Sequence, residues 1–154
     1  MTEKHRVIPA VFIAVYSNAE NYTEVLLHRR INTGFRDGYY DLPSGHVEPD
    51  EMPILAAVRE LKEETNLEVS VKDLELFHIR TNESDTPGYP YLYMFFRVEK
   101  AKCKGNYMVN EPDKCDEVGF FKKSNLPEPT TESSRVAIEN LDSKIVRFSQ
   151  TTTP

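Results

Sequence analysis

The chain has 154 residues, enough for one domain around one hydrophobic core, and its 39 % hydrophobic and 29 % charged content is that of a globular fold rather than a disordered segment. Its net charge of −6, from 19 Lys and Arg against 25 Asp and Glu, argues against a broad phosphate-neutralising surface and so against nucleic acid as the main ligand. No apolar run approaches the roughly 18 residues of a membrane helix. Residues 1–9 read neither as a secretory signal nor as a transit peptide, so a cytoplasmic protein with no membrane partner is expected. Cys103 and Cys115 have neither disulfide nor zinc spacing and read as two free thiols. An acidic chain can still act on a small phosphorylated ligand if divalent cations stand between the charges.

Alternating and β-branched residues predict strands over 7–16 and 24–29, with a turn over 17–21 between them. Residues 31–40 carry Asn32, Gly34, Asp37 and Gly38 and read as a loop; 39–42 is a short extended piece, and Pro43 bars a continuing central strand. A helix is expected over 50–65, with Asp50 as its cap, Pro53 in its first turn and Asn66 at a left-handed stop. Strand candidates follow at 68–71, 75–80 and 91–98; the last places Leu92, Met94, Phe96 and Val98 on one face and Tyr91, Tyr93, Phe95 and Arg97 on the other. Residues 81–90 read as a polar loop and candidate lid, 102–116 as a second loop, 117–121 as a strand and 126–129 as a Pro-punctuated turn. Thr131 is placed to cap a final helix in which Val136, Leu141, Ile145 and Phe148 recur at near-helical spacing, and 151–154 frays. Mixed strands with one central and one terminal helix predict an α+β fold, an α/β/α sandwich with a mixed central sheet and flanking helices. It forms a single domain over 1–154, with its core at about 7–148.

On the wheel of the 50–65 helix, Ile54, Val58, Leu61 and Thr65 form the core-facing stripe, while Glu60, Glu63 and Glu64 share another arc beside Ala56 and Ala57. Like charges at these spacings each cost a helix about 0.3 kcal/mol, and more beside a cleft unless something neutralises them. Hard oxygen ligands on one rigid face suit Mg²⁺ or Mn²⁺, the alanines leave room for a ligand, and Arg59 is placed to orient a carboxylate or meet an anion. A pair of glutamates by itself reads more simply as a solvated helix face.

The wider pattern reverses that preference. Gly45 is followed after five residues by Glu51, and after seven more by Arg59, Glu60, Leu61, Lys62, Glu63, Glu64, Thr65, Asn66 and Leu67. This resembles the Nudix box, G-x5-E-x7-R-E-U-x-E-E-x-G-U with U apolar, except that Asn66 stands for the late Gly. At average residue usage such a match arises by chance on the order of once in 10⁵ chains of this length. Asn is the next best residue at a left-handed stop, so the departure is mild. The flanking segments also look like the Nudix fold, over about 7–148.

The resemblance implies divalent-metal hydrolysis, with Mg²⁺ or Mn²⁺, of a nucleoside diphosphate linked to another moiety, by water attack at phosphorus. It makes Glu60, Glu63 and Glu64 metal ligands, and Ser44 a further one through its backbone carbonyl, where related sequences have a second Gly. Among Glu111, Asp113, Asp116 and Glu117, Glu111 is the expected extra ligand, because 110–121 resembles that segment of MutT-like members. Glu60, or a carboxylate outside the box, is the general base; Arg59 holds a box glutamate, and Gly45 and Glu51 support the loop–helix turn. Arg30, with Arg29 beside it, corresponds to the phosphate-contacting Arg of MutT-like members, and Arg36, Tyr39 and Tyr40 either approach the substrate or pack the turn. His46 stands at the entrance, and His5, His28 and His78 read as structural or exposed. Tyr91, Tyr93, Phe95, Phe35 and Phe120 are the aromatic side chains available to a base. Thr130 stands where MutT-like purine readers place an Asn, which puts selective oxidised-guanine reading in doubt.

The first functional reading is a nucleoside triphosphate pyrophosphohydrolase acting on a small nucleotide, as monomer or homodimer. The second is an ADP-ribose or other nucleotide-sugar pyrophosphatase. The third, a non-catalytic nucleotide-binding module, sits poorly with the retained carboxylates, and RNA 5′ ends sit poorly with the acidic balance.

Overall fold

The computed structural model describes residues 4–18, 20–84 and 88–151. Eight strands and two α-helices follow in the order β1 (Ile8–Tyr16), β2 (Glu24–Arg30), β3 (Tyr40–Asp41), β4 (Ser44–His46), α1 (Pro53–Thr65), β5 (Glu75–Asn82), β6 (Tyr91–Glu99), β7 (Cys115–Lys122), α2 (Glu132–Glu139) and β8 (Arg147–Gln150). Of the centre of the chain-order loop predicted over 81–90, residues 85–87 lie outside the described residues, as do 152–154 of the expected frayed end. Among the described residues no helix is long and apolar enough to cross a membrane.

The strand order is β3-β2-β1-β6-β5-β8, with β4 pairing β1 and β7 pairing β2. β1 is apolar on both faces because both are covered. Val11, Ile13 and Val15 pack with Leu61, Ala56 and Ala57 of α1, while Ala10, Phe12 and Ala14 pack with Ala137 and Ile138 of α2. The alternation of β6 sorts as expected, Phe96 and Val98 to the α1 side, Tyr93 and Phe95 to the α2 side. The result is the α+β sandwich, a mixed sheet between helices.

Local sequence misleads at four places. β1 and β2 form no hairpin ladder: they pair at Tyr16 and Val25, and β1 instead runs parallel to β6 along its whole length while β2 pairs β7. Pro43 does bar a continuing strand, as expected: β3 ends at Asp41 on β2 and β4 starts at Ser44 on β1, while the Pro43 carbonyl accepts from Ile13 N–H at 2.8 Å. Asp50 does not cap α1. It sits in the left-handed region (φ 62°), and the helix begins at Pro53 after Met52, with no side-chain cap. Asn66 does stop it left-handed, at φ 68°. Segment 68–71 makes one bridge, Glu68 to Lys104, and a 3₁₀ turn rather than a strand.

The fourth departure is the C-terminus. Thr131 caps α2 by accepting from Ser134 N–H, but α2 ends at Glu139, and β8 then adds parallel to β5. Arg97, buried in the sheet, donates to the Leu141 and Ser143 carbonyls at 2.7 Å, taking the acceptors a continuing helix would use. Ile145 and Phe148 are left exposed rather than on a core stripe.

Candidate active site

Ala56 and Ala57 are fully buried against the sheet rather than beside the acidic arc, which corrects the expectation that they leave room for a ligand. Their small size lets α1 lie close to β4. Ser44 N–H donates to Glu64 Oε2 at 2.9 Å, so Ser44 meets the acidic face through its amide nitrogen. At Gly45 a Cβ would overlap the Glu60 carboxylate, so the bare backbone there forms the cradle into which Glu60 folds.

Arg59 ties the arc together. Its Nε and Nη2 grip Glu51 at 2.8 and 3.0 Å, its Nη1 reaches Glu60 at 2.7 Å and Glu63 at 3.3 Å, and Nη2 also donates to the His46 carbonyl at 3.0 Å. Glu51 accepts in addition from Glu48 N–H at 2.9 Å, which closes the turn before the helix. These bonds, Arg59 first, pull the Glu51 carboxyl down to about 2 from an ordinary 4.5. A depressed folded-state value adds stability that is complete above the ordinary value and is lost as pH falls towards the folded one. Glu51→Gln is therefore expected to melt below wild type at pH 6, and the gap is expected to close as pH falls from about 4.5 to about 2. A melting-temperature series across that window checks it, and a gap that persists undiminished at its acid end would refute the account.

Glu60 and Glu64 behave in the opposite way. Burial pushes the Glu60 carboxyl up, against the pull of Arg59 and with the help of Glu63 and Glu111. Burial pushes Glu64 well up, against the Ser44 amide and with Glu60, Asp41 and Glu111 adding to it. Glu111 enters from the facing loop. Asn110 donates to the last-turn carbonyls of Lys62 and Glu63 at 3.1 and 2.9 Å, and Met108 N–H to Thr65 at 3.0 Å, so the loop is fastened to the end of α1. Sequence reasoning passed over Asn110; its signal is an Asn two residues before Pro112 opposite a helix end that needs acceptors satisfied.

These groups line one cleft of about 600 Å³, with Ser44, Gly45, Glu60, Glu63, Glu64 and Glu111 among its lining together with Arg30 and Lys114, the latter 3.7 Å from Glu111. His46 stands at its edge, stacked on Tyr91. Arg30 is held by the Phe35 carbonyl at 3.0 Å and Thr33 Oγ1 at 3.3 Å. Arg29 is not brought there: it forms a two-pronged pair with Asp116 at 2.8 and 2.7 Å. Tyr39 does not line the cleft either, and Arg36 stacks over it and over Phe35. Tyr40 is core packing, its hydroxyl donating to Glu117 at 2.6 Å. Asp116 and Glu117 are thereby committed away from the acidic arc, and Glu111 is the member of its group that faces it.

His28, read as structural or exposed, is 4 % exposed and also lines the cleft. Among the described residues neither ring nitrogen has a hydrogen-bond partner, Nδ1 lies 3.8 Å from Glu64 Oε2, and burial lowers the imidazole to about 4. The signal was strand alternation, since Leu26, two residues earlier, faces α1. Cys103 and Cys115 are free, as expected, and burial pushes both thiols up, Cys103 to about 11.

The donor set fits a hard divalent cation in kind: four carboxylates on a helix face and its facing loop, two of them pushed up by burial, and a glycine cradle that admits one to the backbone. Among the described residues no three acidic, imidazole or thiol groups converge on an ion-sized point as they stand, because Arg59 bridges Glu60 and Glu63.

Residues 7–141 match the NUDIX domain along their length. The chain belongs to the NUDIX family. NUDIX hydrolases are pyrophosphohydrolases that use divalent metals. This NUDIX chain is 31 % identical over 135 residues to an ADP-ribose pyrophosphatase of Methanocaldococcus jannaschii, covering 87 % of this chain and 75 % of that protein. Its fold matches a MutT NUDIX hydrolase of Burkholderia pseudomallei with a TM-score of 0.77 at 23 % identity, over 88 % of this chain and 98 % of that one. It also matches the NUDIX domain of Shewanella oneidensis NrtR, solved with ADP ribose, with a TM-score of 0.69 at 17 % identity, over 90 % and 88 % of the two chains.

Proposed function

We infer that this NUDIX hydrolase uses Mg²⁺, with Mn²⁺ able to replace it, to cleave a nucleoside triphosphate to its monophosphate and pyrophosphate. The observation that carries the reading is one cleft lined both by four carboxylates, Glu60, Glu63, Glu64 and Glu111, and by the cations Arg30, Arg59 and Lys114, with Lys114 3.7 Å from Glu111. A triphosphate presents more charge than a two-phosphate linkage ending in a neutral sugar, and so makes fuller use of both the cations and the metal-holding carboxylates.

In this reading Glu60, Glu63 and Glu64, with Glu111 and the Ser44 carbonyl, hold the metal, which lowers the pKa of water and neutralises phosphate charge. Glu60, pushed up by its burial, takes the proton of the attacking water. Arg59, anchored on Glu51, keeps Glu60 and Glu63 in place, and Arg30 binds the terminal phosphates, with Arg36 at the loop beyond it. The whole chain works as one domain.

ADP-ribose is the second reading, supported by the archaeal relative that shares 31 % identity. A hydrolysis panel with Mg²⁺, covering nucleoside triphosphates, ADP-ribose and other nucleotide sugars, decides between them by its products. Monophosphate plus pyrophosphate is expected; turnover of ADP-ribose alone replaces the first reading with the second, and no turnover of any member ends both.

A further inference from the structure

Beside the acidic cleft lie two small hollows of about 110 and 80 Å³, the larger sharing Arg30, Ser44, Gly45 and His46 with it. Phe12 of β1, Tyr93 of β6, Phe35 of the 31–40 loop and Asp41 of β3 line both hollows. Phe12 and Tyr93 are tilted at 4.8 Å between centroids, and Phe35 is 57 % exposed. Together the hollows are comparable to the ~150 Å³ that holds one six-membered ring.

Asp41 is the charged residue that lines both hollows, beside Arg30 and His46 in the larger and Arg36, Asn82 and Glu132 in the smaller, and it is only 5 % exposed. Its Oδ1 is saturated: it accepts from Leu42 N–H at 3.1 Å, from Thr131 Oγ1 at 2.8 Å and from Ser134 Oγ. Its Oδ2 has no hydrogen-bond donor among the described residues. Its nearest cation, Arg30 Nη1, stands 3.7 Å away, and Arg30 spends Nε and Nη2 on Phe35 and Thr33. Burial raises the Asp41 carboxyl, while Ser134, Thr131 and Arg30 oppose the rise and favour the charged form. The side chain is therefore rigid, with one oxygen spent on the fold and one presented to the hollows as an acceptor.

We propose that Asp41 reads the nucleobase of the substrate and selects bases that present an amino group, as cytosine, adenine and guanine do, over uracil and thymine. The proposal rests on the nucleotide reading above. An amino N–H directed at Oδ2 forms a charge-assisted hydrogen bond, with the ring held among Phe12, Phe35 and Tyr93. A carbonyl oxygen in that place meets carboxylate lone pairs with no proton between them, and the buried acceptor stays unpaired.

Cytosine and uracil differ at one exocyclic group, amino against oxo, and make the cleanest comparison. The experiment measures kcat/KM for CTP and UTP, and, separately from catalysis, Kd for CMP and UMP by calorimetry. Wild type is expected to favour the cytosine member about tenfold or more in both. In Asp41→Asn the amide keeps an oxygen for Thr131 and Ser134 and turns an N–H donor to the pocket, so the preference reverses to uracil. If Asp41→Asn does not fold, the monophosphate of the 2-pyrimidinone nucleoside, with hydrogen at the same ring position, binds wild type between CMP and UMP. Equal kcat/KM for CTP and UTP together with equal or absent binding of CMP and UMP overturns the proposal and leaves any observed hydrolysis standing. Failure to hydrolyse either triphosphate overturns the triphosphate reading instead, and the CMP and UMP affinities then decide the role of Asp41 alone.

Discussion

Glu64→Gln is expected to lower turnover by about 10³-fold, while the protein in chelator melts at or above the wild-type temperature. The two effects point in opposite directions for one physical reason. Glu64 is a carboxylate that burial pushes well up, so its charge costs the metal-free fold something that a neutral amide avoids. Gln can still accept the Ser44 N–H that now binds Oε2 at 2.9 Å, so the contact between α1 and β4 survives. What disappears is the negative charge facing the cleft. Glu63→Gln, more exposed, is expected to lose activity in the same direction. Turnover of both variants at the wild-type rate would remove the α1 arc from the chemistry. A fall of many degrees in the melting temperature of Glu64→Gln would make Glu64 a structural residue instead.

The second large effect is expected at Gly45→Ala. The added methyl would overlap the end of the Glu60 side chain, which can swing away, rather than any fixed backbone. Gly45 has no left-handed backbone to strain, as its absence from the positive-φ glycines shows. The variant should therefore fold, at a cost of about 1 kcal/mol or less. Its activity should fall about 100-fold, because Glu60 leaves the cradle, and with it the position in which it accepts from Arg59 Nη1 at 2.7 Å. Thermal melting and kcat measured on the same preparation separate the two. Full activity would show that Glu60 works from elsewhere, and an unfolded variant would show that the β4–α1 approach is tighter than the cradle implies.

Much of the site was legible because it is local. Gly45 to Leu67 is one continuous strand–turn–helix, and in such a segment residue spacing is already geometry: Glu60, Glu63 and Glu64 share a helix face whatever the rest of the chain does. The left-handed stop at Asn66, the cap at Thr131 and the two-faced burial of β6 are local in the same sense. The misreadings were local rules overruled from a distance. Asp50 is a good capping residue, yet the Arg59–Glu51 grip and the Glu48 turn set where the chain enters α1. The stripe of Val136, Leu141, Ile145 and Phe148 fits a helix, yet Arg97, forty-four residues before Leu141, takes the carbonyls that helix needs, and β5 offers an open edge. Arg29 and Arg30 are neighbours in sequence, and a register shift between them on β2 accompanies their separation, one to Asp116 and the other to the cleft.

By itself the sequence determined the family, the identity of the acidic helix and the two-sided burial of the strands, since these follow from residue type and period along a single element. The tertiary structure decided which charges face one another. Only the packing of Ala56 and Ala57 against the sheet brings Glu60 to Gly45 and Glu64 to Ser44. The bonds of Asn110 and Met108 to the end of α1 fasten the loop that carries Glu111, and the meeting of β3 with α2 engages Oδ1 of Asp41 while Oδ2 lies 3.7 Å from Arg30. Electrostatic energy depends on distance and burial, and neither is fixed between two residues until the segments carrying them have packed.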